Sequence, residues 1–185
     1  MKIFIGGPRA ISKLNNSVEE KLNGMIIKGH TILVGDANGI DRAVQQYFQN
    51  QRYERVVVYA SNGTVRNNLG KWPVEAIQVA DNIRGFDFYA TKDKAMVSNA
   101  DYGFMVWNGE SKGTFTNIIN LLAADKKLLL YFSQMNAFLS IDCFEKLECL
   151  LEHCSDNIRR LYETVYSNPA REQAQMRLFE STELM

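Results

Sequence analysis

Three of the five short apolar runs in the first 133 residues pass through a glycine-bearing loop into a stretch with helical spacing. Few folds accommodate that alternation. Lys2-Ile3-Phe4-Ile5 ends at Gly6-Gly7-Pro8, the pattern of a buried strand reaching a turn. Ser17-Val18-Glu19-Glu20 has capping-box spacing, and Leu14, Val18, Leu22, Met25 and Ile26 follow on one helical face until Gly29. Thr31 to Val34 repeats the strand and ends at Gly35-Asp36, with Ile40, Ala43, Val44 and Tyr47 marking a second helix. Arg55 to Tyr59, Tyr102 to Trp107 and Lys127 to Phe132 are the remaining strands, rich in β-branched or aromatic residues as in a sheet covered on both faces. Between them, Ile118, Ile119, Leu121 and Leu122 continue as helix. Strands alternating with helices predict a three-layer α/β fold around a mainly parallel sheet of about five strands.

The spacing predicts a short helix near Val74–Asp81 within an irregular stretch, and a helix over Lys92–Ala100. Past Ser133 the pattern reads as helical throughout: Phe144, Leu147 and Leu151, then Ile158, Leu161, Tyr162 and Val165. Asn168-Pro169 has the form of a helix cap and opens a last helix through Met176 and Phe179. The division is therefore an α/β domain over residues 1–133 and a helical extension over 134–185. The extension can pack on the body, build a homo-oligomer or bind a partner.

Composition narrows the partners. Lys+Arg and Asp+Glu number 21 each, a balance that argues against a nucleic-acid binder. The balance conceals a split, because residues 141–185 carry nine acids against five bases and leave the first 140 mildly basic. A basic body suits an anionic small molecule. No run approaches the roughly 18 to 20 apolar residues of a membrane helix, and Met1 to Gly7 lacks a leader pattern, so the expectation is a soluble cytoplasmic protein without a membrane partner. Cys143, Cys149 and Cys154 are an odd set without a ligand pair, which suggests small packed residues and no metal site.

In an open parallel sheet, ligands bind where strand carboxyl ends lead into helix N-termini. Three glycine-bearing loops fall there: Gly6-Gly7-Pro8-Arg9, Gly35 to Arg42, and Gly109 to Thr114. Glycine lets a phosphate approach backbone N–H groups, the helix dipole favours an anion, and Ser111 and Thr114 add hydroxyls. Arg9 and Lys112 supply charge. Neither a P-loop nor a G-x-G-x-x-G fingerprint is present.

The segment Val34-Gly35-Asp36-Ala37-Asn38-Gly39-Ile40-Asp41-Arg42-Ala43 resembles the "GGARGADRLA" loop of YspA-like proteins in the SLOG superfamily. Lys94 to Val97, Ala100-Asp101, Phe104 to Trp107 and Gly109-Glu110-Ser111-Lys112-Gly113-Thr114 resemble the same group's helix, "AD", strand and "WDGxSxGT" loop. The resemblance covers about residues 1–133 and implies a Rossmann-like fold that binds a nucleotide or nucleotide derivative, in the manner of a sensor. It also extends to LOG-type phosphoribohydrolases, with departures. Their "RKxxM" arginine position is matched to Asp93 and their "PGGxGTxxE" glutamate position to Asn117. Without that glutamate, the charge that builds during N-glycosidic cleavage lacks its expected stabiliser.

The ligand-binding candidates are Gly6, Gly7, Arg9, Gly35, Asn38, Gly39, Gly109, Ser111, Gly113 and Thr114. If the chain is an enzyme acting on N-glycosidic bonds of nucleosides or nucleotides, its carboxylate comes from Asp41, Asp36, Asp93 or Glu75. Helix capping for Asp36 and a first-turn dipole role for Asp41 and Asp93 are the structural alternatives. Trp107 suits a base platform or the core, and His30 has no motif context. No cofactor is implied beyond the nucleotide-like ligand. A protein-interaction scaffold on the same fold is the third reading.

Overall fold

The computed structural model describes residues 1–166. Seven strands form one sheet: β1 (Lys2–Gly6), β2 (Thr31–Gly35), β3 (Val56–Ser61), β4 (Val74–Ile77), β5 (Tyr102–Trp107), β6 (Leu128–Phe132) and β7 (Ala137–Ile141). Helices α1 (Asn16–Ile27), α2 (Ile40–Asn50), α3 (Gly85–Asn99) and α4 (Lys112–Ala123) lie between them. After β7 come α5 (Phe144–Glu148), a single 3-10 turn (Leu151–His153) and α6 (Asp156–Tyr166). The strand order is β4-β3-β2-β1-β5-β6-β7, parallel except for β7, which returns antiparallel to β6. The chain is a three-layer α/β fold of the Rossmann-like kind. The order reverses between β1 and β5, which opens a crevice at their carboxyl ends.

The alternation within each strand distributes the core between the two faces. In β1, Ile3 and Ile5 face α1 and α2, joining Val18, Leu22, Val44 and Phe48, while Phe4 faces α3 and α4. On that second face Trp107 stacks on Phe115 with ring centroids 5.6 Å apart, and both are fully buried. A fully buried side chain of this kind contributes about 2–3 kcal/mol. Gly103 of β5 lets α4 pack closely: a methyl there would collide with Leu121 and lie 2.9 Å from Leu128 Cβ.

Several elements differ from the sequence expectation. Val74–Ile77 is an edge strand, because Val58 to Ser61 pairs with it in parallel register. The helix expected over Lys92–Ala100 begins earlier, at Gly85. Asn15, two residues before the expected serine, caps α1 by accepting from the Val18 amide at 2.9 Å. The boundary at residue 133 also moves, since Ala137–Ile141 completes the sheet rather than starting a helical extension. Nor is the following region a separate appendage: Leu147, Leu150, Cys154 and Ile158 are buried in the α3–α4 core. Their apolar faces are covered within the chain, so over these residues the extension packs on the body, one of the three roles the sequence leaves open. The last helix, expected from Asn168-Pro169, lies outside the described residues.

Candidate functional site

The crevice at the switch point is a cleft of about 460 Å³. Gly6, Gly7 and Arg9 from the end of β1, Ala37 and Asp41 from the β2–α2 turn, and Ser111, Gly113, Thr114 and Asn117 from the start of α4 surround it. Tyr89, Lys92, Asp93 and Met96 of α3 form another wall, and Arg66 reaches in from the β3–β4 connection. Each wall has a local cause. Gly7 has no room for a side chain, since a methyl would sit 2.7 Å from Ile40 and 2.8 Å from the Val106 carbonyl. Ser111 caps α4 through its side chain, and its carbonyl accepts from Trp107 Nε1 at 3.1 Å. The indole is thereby a core residue that anchors the loop. Gly113 has open space where a side chain would stand.

A buried cation with two carboxylates occupies the α3 side. Lys92, 4% exposed, donates from Nζ to Asp93 Oδ1 at 2.7 Å, and Asn117 Nδ2 donates to Asp93 Oδ2 at 3.1 Å. Burial disfavours the charge on Lys92, but Asp93 and Asp41 outweigh it and hold the ammonium above its ordinary pKa. Asp41 is buried, and its Oδ2 accepts only the Ala37 amide, at 3.2 Å, among the described residues. Desolvation pushes this carboxyl up from 3.8 to about 6 even though Lys92 pulls it down. Gly35 makes the arrangement possible, because a methyl there would collide with Asp41 Oδ2 and lie 2.8 Å from Lys92 Nζ. A carboxyl poised near neutrality beside a fixed cation can exchange a proton with a bound molecule.

From the β3–β4 connection, Arg66 binds Asp36 in bidentate fashion, with Nε to Oδ2 at 2.9 Å and Nη2 to Oδ1 at 2.5 Å. The Arg66 amide adds a third bond at 3.1 Å. Burial opposes the Asp36 charge, but these bonds prevail and hold its carboxyl below the usual range. The connection carrying Arg66 is fastened further by buried Gln45, whose Nε2 donates to the Gly35 and Asn67 carbonyls and whose Oε1 accepts from the Leu69 amide. Arg66 and Arg9 each place their guanidinium carbon 4.9 Å from the centre of the Tyr89 ring.

No protein-family model matches the sequence, and no curated protein matches it. Solved structures do. The chain is similar in fold to DNA processing protein A from Helicobacter pylori, whose single-stranded DNA binding mode is described. The TM-score is 0.56 at 13% identity, over 91% of this chain and 81% of that one. A single-stranded DNA binder therefore uses this architecture, and the expectation of no nucleic-acid partner, drawn from balanced charge, is overturned. The physical reason is that net charge averages over the whole surface, so a balance of acids and bases does not by itself exclude such a partner. Among the described residues, no helix is long and apolar enough to cross a membrane, and no three His, Cys, Asp or Glu converge as a metal site.

Of the expected ligand residues, Gly6, Gly7, Arg9, Ser111, Gly113 and Thr114 line the cleft. Gly39 instead lets two loops touch: with φ +82°, a methyl there would strike Arg9 Cα and stand 2.5 Å from the Pro8 carbonyl. Asn38 is exposed and accepts from Asn67 Nδ2 at 3.1 Å. Gly109, at φ +71°, turns toward the C-terminal region, and its carbonyl accepts from the Ser155 amide at 3.1 Å. Among the carboxylates, Asp41 and Asp93 line the cleft. Asp36 is 1% exposed and taken up by Arg66, while Glu75 stands on edge strand β4, so neither is placed for chemistry. The "RKxxM" register also needs correcting: four residues before Met96 is Lys92, so the arginine position holds a lysine and Asp93 follows it. Arg66 and Tyr89 were not anticipated, because neither belongs to a motif and both reach the cleft only through the fold.

Proposed function

We propose that this chain is a nucleotide-binding protein of the SLOG superfamily, taking a nucleotide or nucleotide-derived phosphate ester in the switch-point cleft. The observation that carries the reading is the convergence, in one cleft of about 460 Å³, of the Ser111–Gly113–Thr114 helix start with Arg9 and Arg66. That size falls within the usual range for small-molecule sites, roughly 300–1,000 Å³. Amide donors at the α4 N-terminus suit a phosphate, and the open position at Gly113 leaves room for its close approach. The sequence motifs of the β2–α2 and β5–α4 loops support the superfamily reading. A single DNA strand offers the same phosphates and bases, and a protein of similar fold is described as binding one. Calorimetric titration with nucleoside monophosphates, cyclic and diphosphate nucleotides and short oligonucleotides tests the proposal. Saturable micromolar binding of any of these, weakened by Gly113→Val, is the expected result. Absence of binding across the panel overturns it.

Asp41 favours one second reading, cleavage or transfer of an N-glycosidic bond. A buried carboxyl raised to about 6 beside Lys92 and Asp93 has the character of a general acid. Release of free base from nucleosides or nucleoside monophosphates, lost in Asp41→Asn, supports this reading. No release from any of them removes it.

A further inference from the structure

We propose that Tyr89 is the base-recognising residue of the cleft, and that a nucleobase binds by replacing the Arg9 guanidinium on the Tyr89 ring. The inference rests on the nucleotide reading above and adds to it the part of the ligand that confers selectivity. Tyr89 is a large aromatic ring that lines the cleft and is 37% exposed. Phe88 packs edge-to-face with it at 5.3 Å between centroids.

The two arginines against it are tied down very differently. Arg66 has both arms of its guanidinium bound to buried Asp36 and its own amide bound to the same carboxylate, so it stays. Arg9 has its backbone pinned against Gly39, but among the described residues no hydrogen bond or ion pair holds its side chain. A solvated cation–π contact is weaker than a base–aromatic stack, so the exchange favours the base. The released Arg9 guanidinium then remains at the end of β1, beside the cleft where the α4 N-terminus presents its donors, and is free to pair with the ligand's phosphate. One residue thus couples the two halves of the ligand: Arg9 leaves the ring as the base arrives and goes to the phosphate that comes with it.

Full-length Tyr89→Trp provides the probe, because the native indoles Trp72 and Trp107 are 7% and 0% exposed and report little from the cleft. Nucleoside monophosphates are expected to quench the introduced indole, while ribose 5-phosphate binds without quenching it. Tyr89→Ala is expected to lower nucleoside monophosphate affinity by roughly 5- to 100-fold and to leave ribose 5-phosphate affinity unchanged. Arg9→Met in the Tyr89→Trp background is expected to weaken both ligands while retaining the quench. Thermal melts check that the variants fold, and the exposure of both residues makes them tolerant positions. Equal nucleoside monophosphate affinity in wild type and Tyr89→Ala, without quenching, overturns the role of Tyr89 and leaves the nucleotide reading standing. No binding of any nucleotide to the wild type overturns that reading and this inference with it.

Discussion

Replacing Asp41 by asparagine should make the protein more stable at neutral pH, although it removes a charge that faces a buried lysine. The side chain lies at the start of α2 and, among the described residues, has one hydrogen bond, from the Ala37 amide, which an asparagine oxygen can also accept. Burial raises its carboxyl from 3.8 to about 6, net of the attraction to Lys92 and the repulsion from Asp93 and Asp36. The folded state therefore holds a proton through the window in which the unfolded chain has already lost one. The contribution of Asp41 to stability falls as pH rises from about 4 to 6, and above that window its full cost is present. About two pKa units correspond to about 3 kcal/mol. For a chain of this length that is roughly 6–12 °C in Tm. Urea denaturation of both proteins from pH 4 to 8 is the assay. The curves should coincide within about 1 kcal/mol at pH 4 and separate in favour of Asp41→Asn by about 2–3 kcal/mol at pH 7.5. A less stable variant at pH 7.5, or a gap independent of pH, would refute the reasoning. The first would mean that the pairing with Lys92 exceeds the desolvation cost, the second that the two cancel.

Breaking the other charge pair should act in the opposite direction. Arg66→Met leaves the Asp36 carboxylate buried without its partner and should cost about 2–4 kcal/mol in urea denaturation, largely recovered in the Asp36→Asn/Arg66→Met double variant. Two glycines should separate structure from binding. Gly39→Ala meets both a φ of +82° and the Arg9 backbone, and should lower stability by more than about 2 kcal/mol on thermal or chemical melting. Gly113→Ala meets nothing within 4 Å in the first turn of α4, so its melting curve should be unchanged or slightly improved, by up to about 1 kcal/mol. Its nucleotide affinity should nevertheless fall in calorimetry, because the added methyl stands where the phosphate approaches.

The elements with a strong local signal were legible in the sequence. β1, β2, β5 and β6 are apolar runs bounded by glycine or polar turns, and α1, α2 and α4 carry their buried residues at helical spacing. Val74-Glu75-Ala76-Ile77 has too few residues to show a period, so the strand state of β4, where the sequence predicts a helix, comes from pairing with β3. β7 has an equally weak local signal: Ala137 to Leu139 is only partly buried and Ser140 is exposed, and the segment becomes a strand by returning along β6. The glycine loops were visible, but not which glycines serve the ligand. Gly113 faces open space in the cleft, whereas Gly39 and Gly109 are needed by neighbouring backbone. That difference depends on residues distant in sequence, such as Arg9 for Gly39 and His153 for Gly109.

By itself, the sequence determined the α/β alternation and the three loops at strand ends, because hydrophobic period and turn chemistry are properties of neighbouring residues. Which carboxylate is spoken for and which is poised was decided only by tertiary structure. Asp36 and Asp41 stand five positions apart across the β2–α2 turn, yet Arg66, thirty residues from Asp36, neutralises the first. Lys92 leaves the second half-compensated in a buried cleft. Burial and long-range charge set the protonation of a carboxylate, and neither is written in the residues beside it.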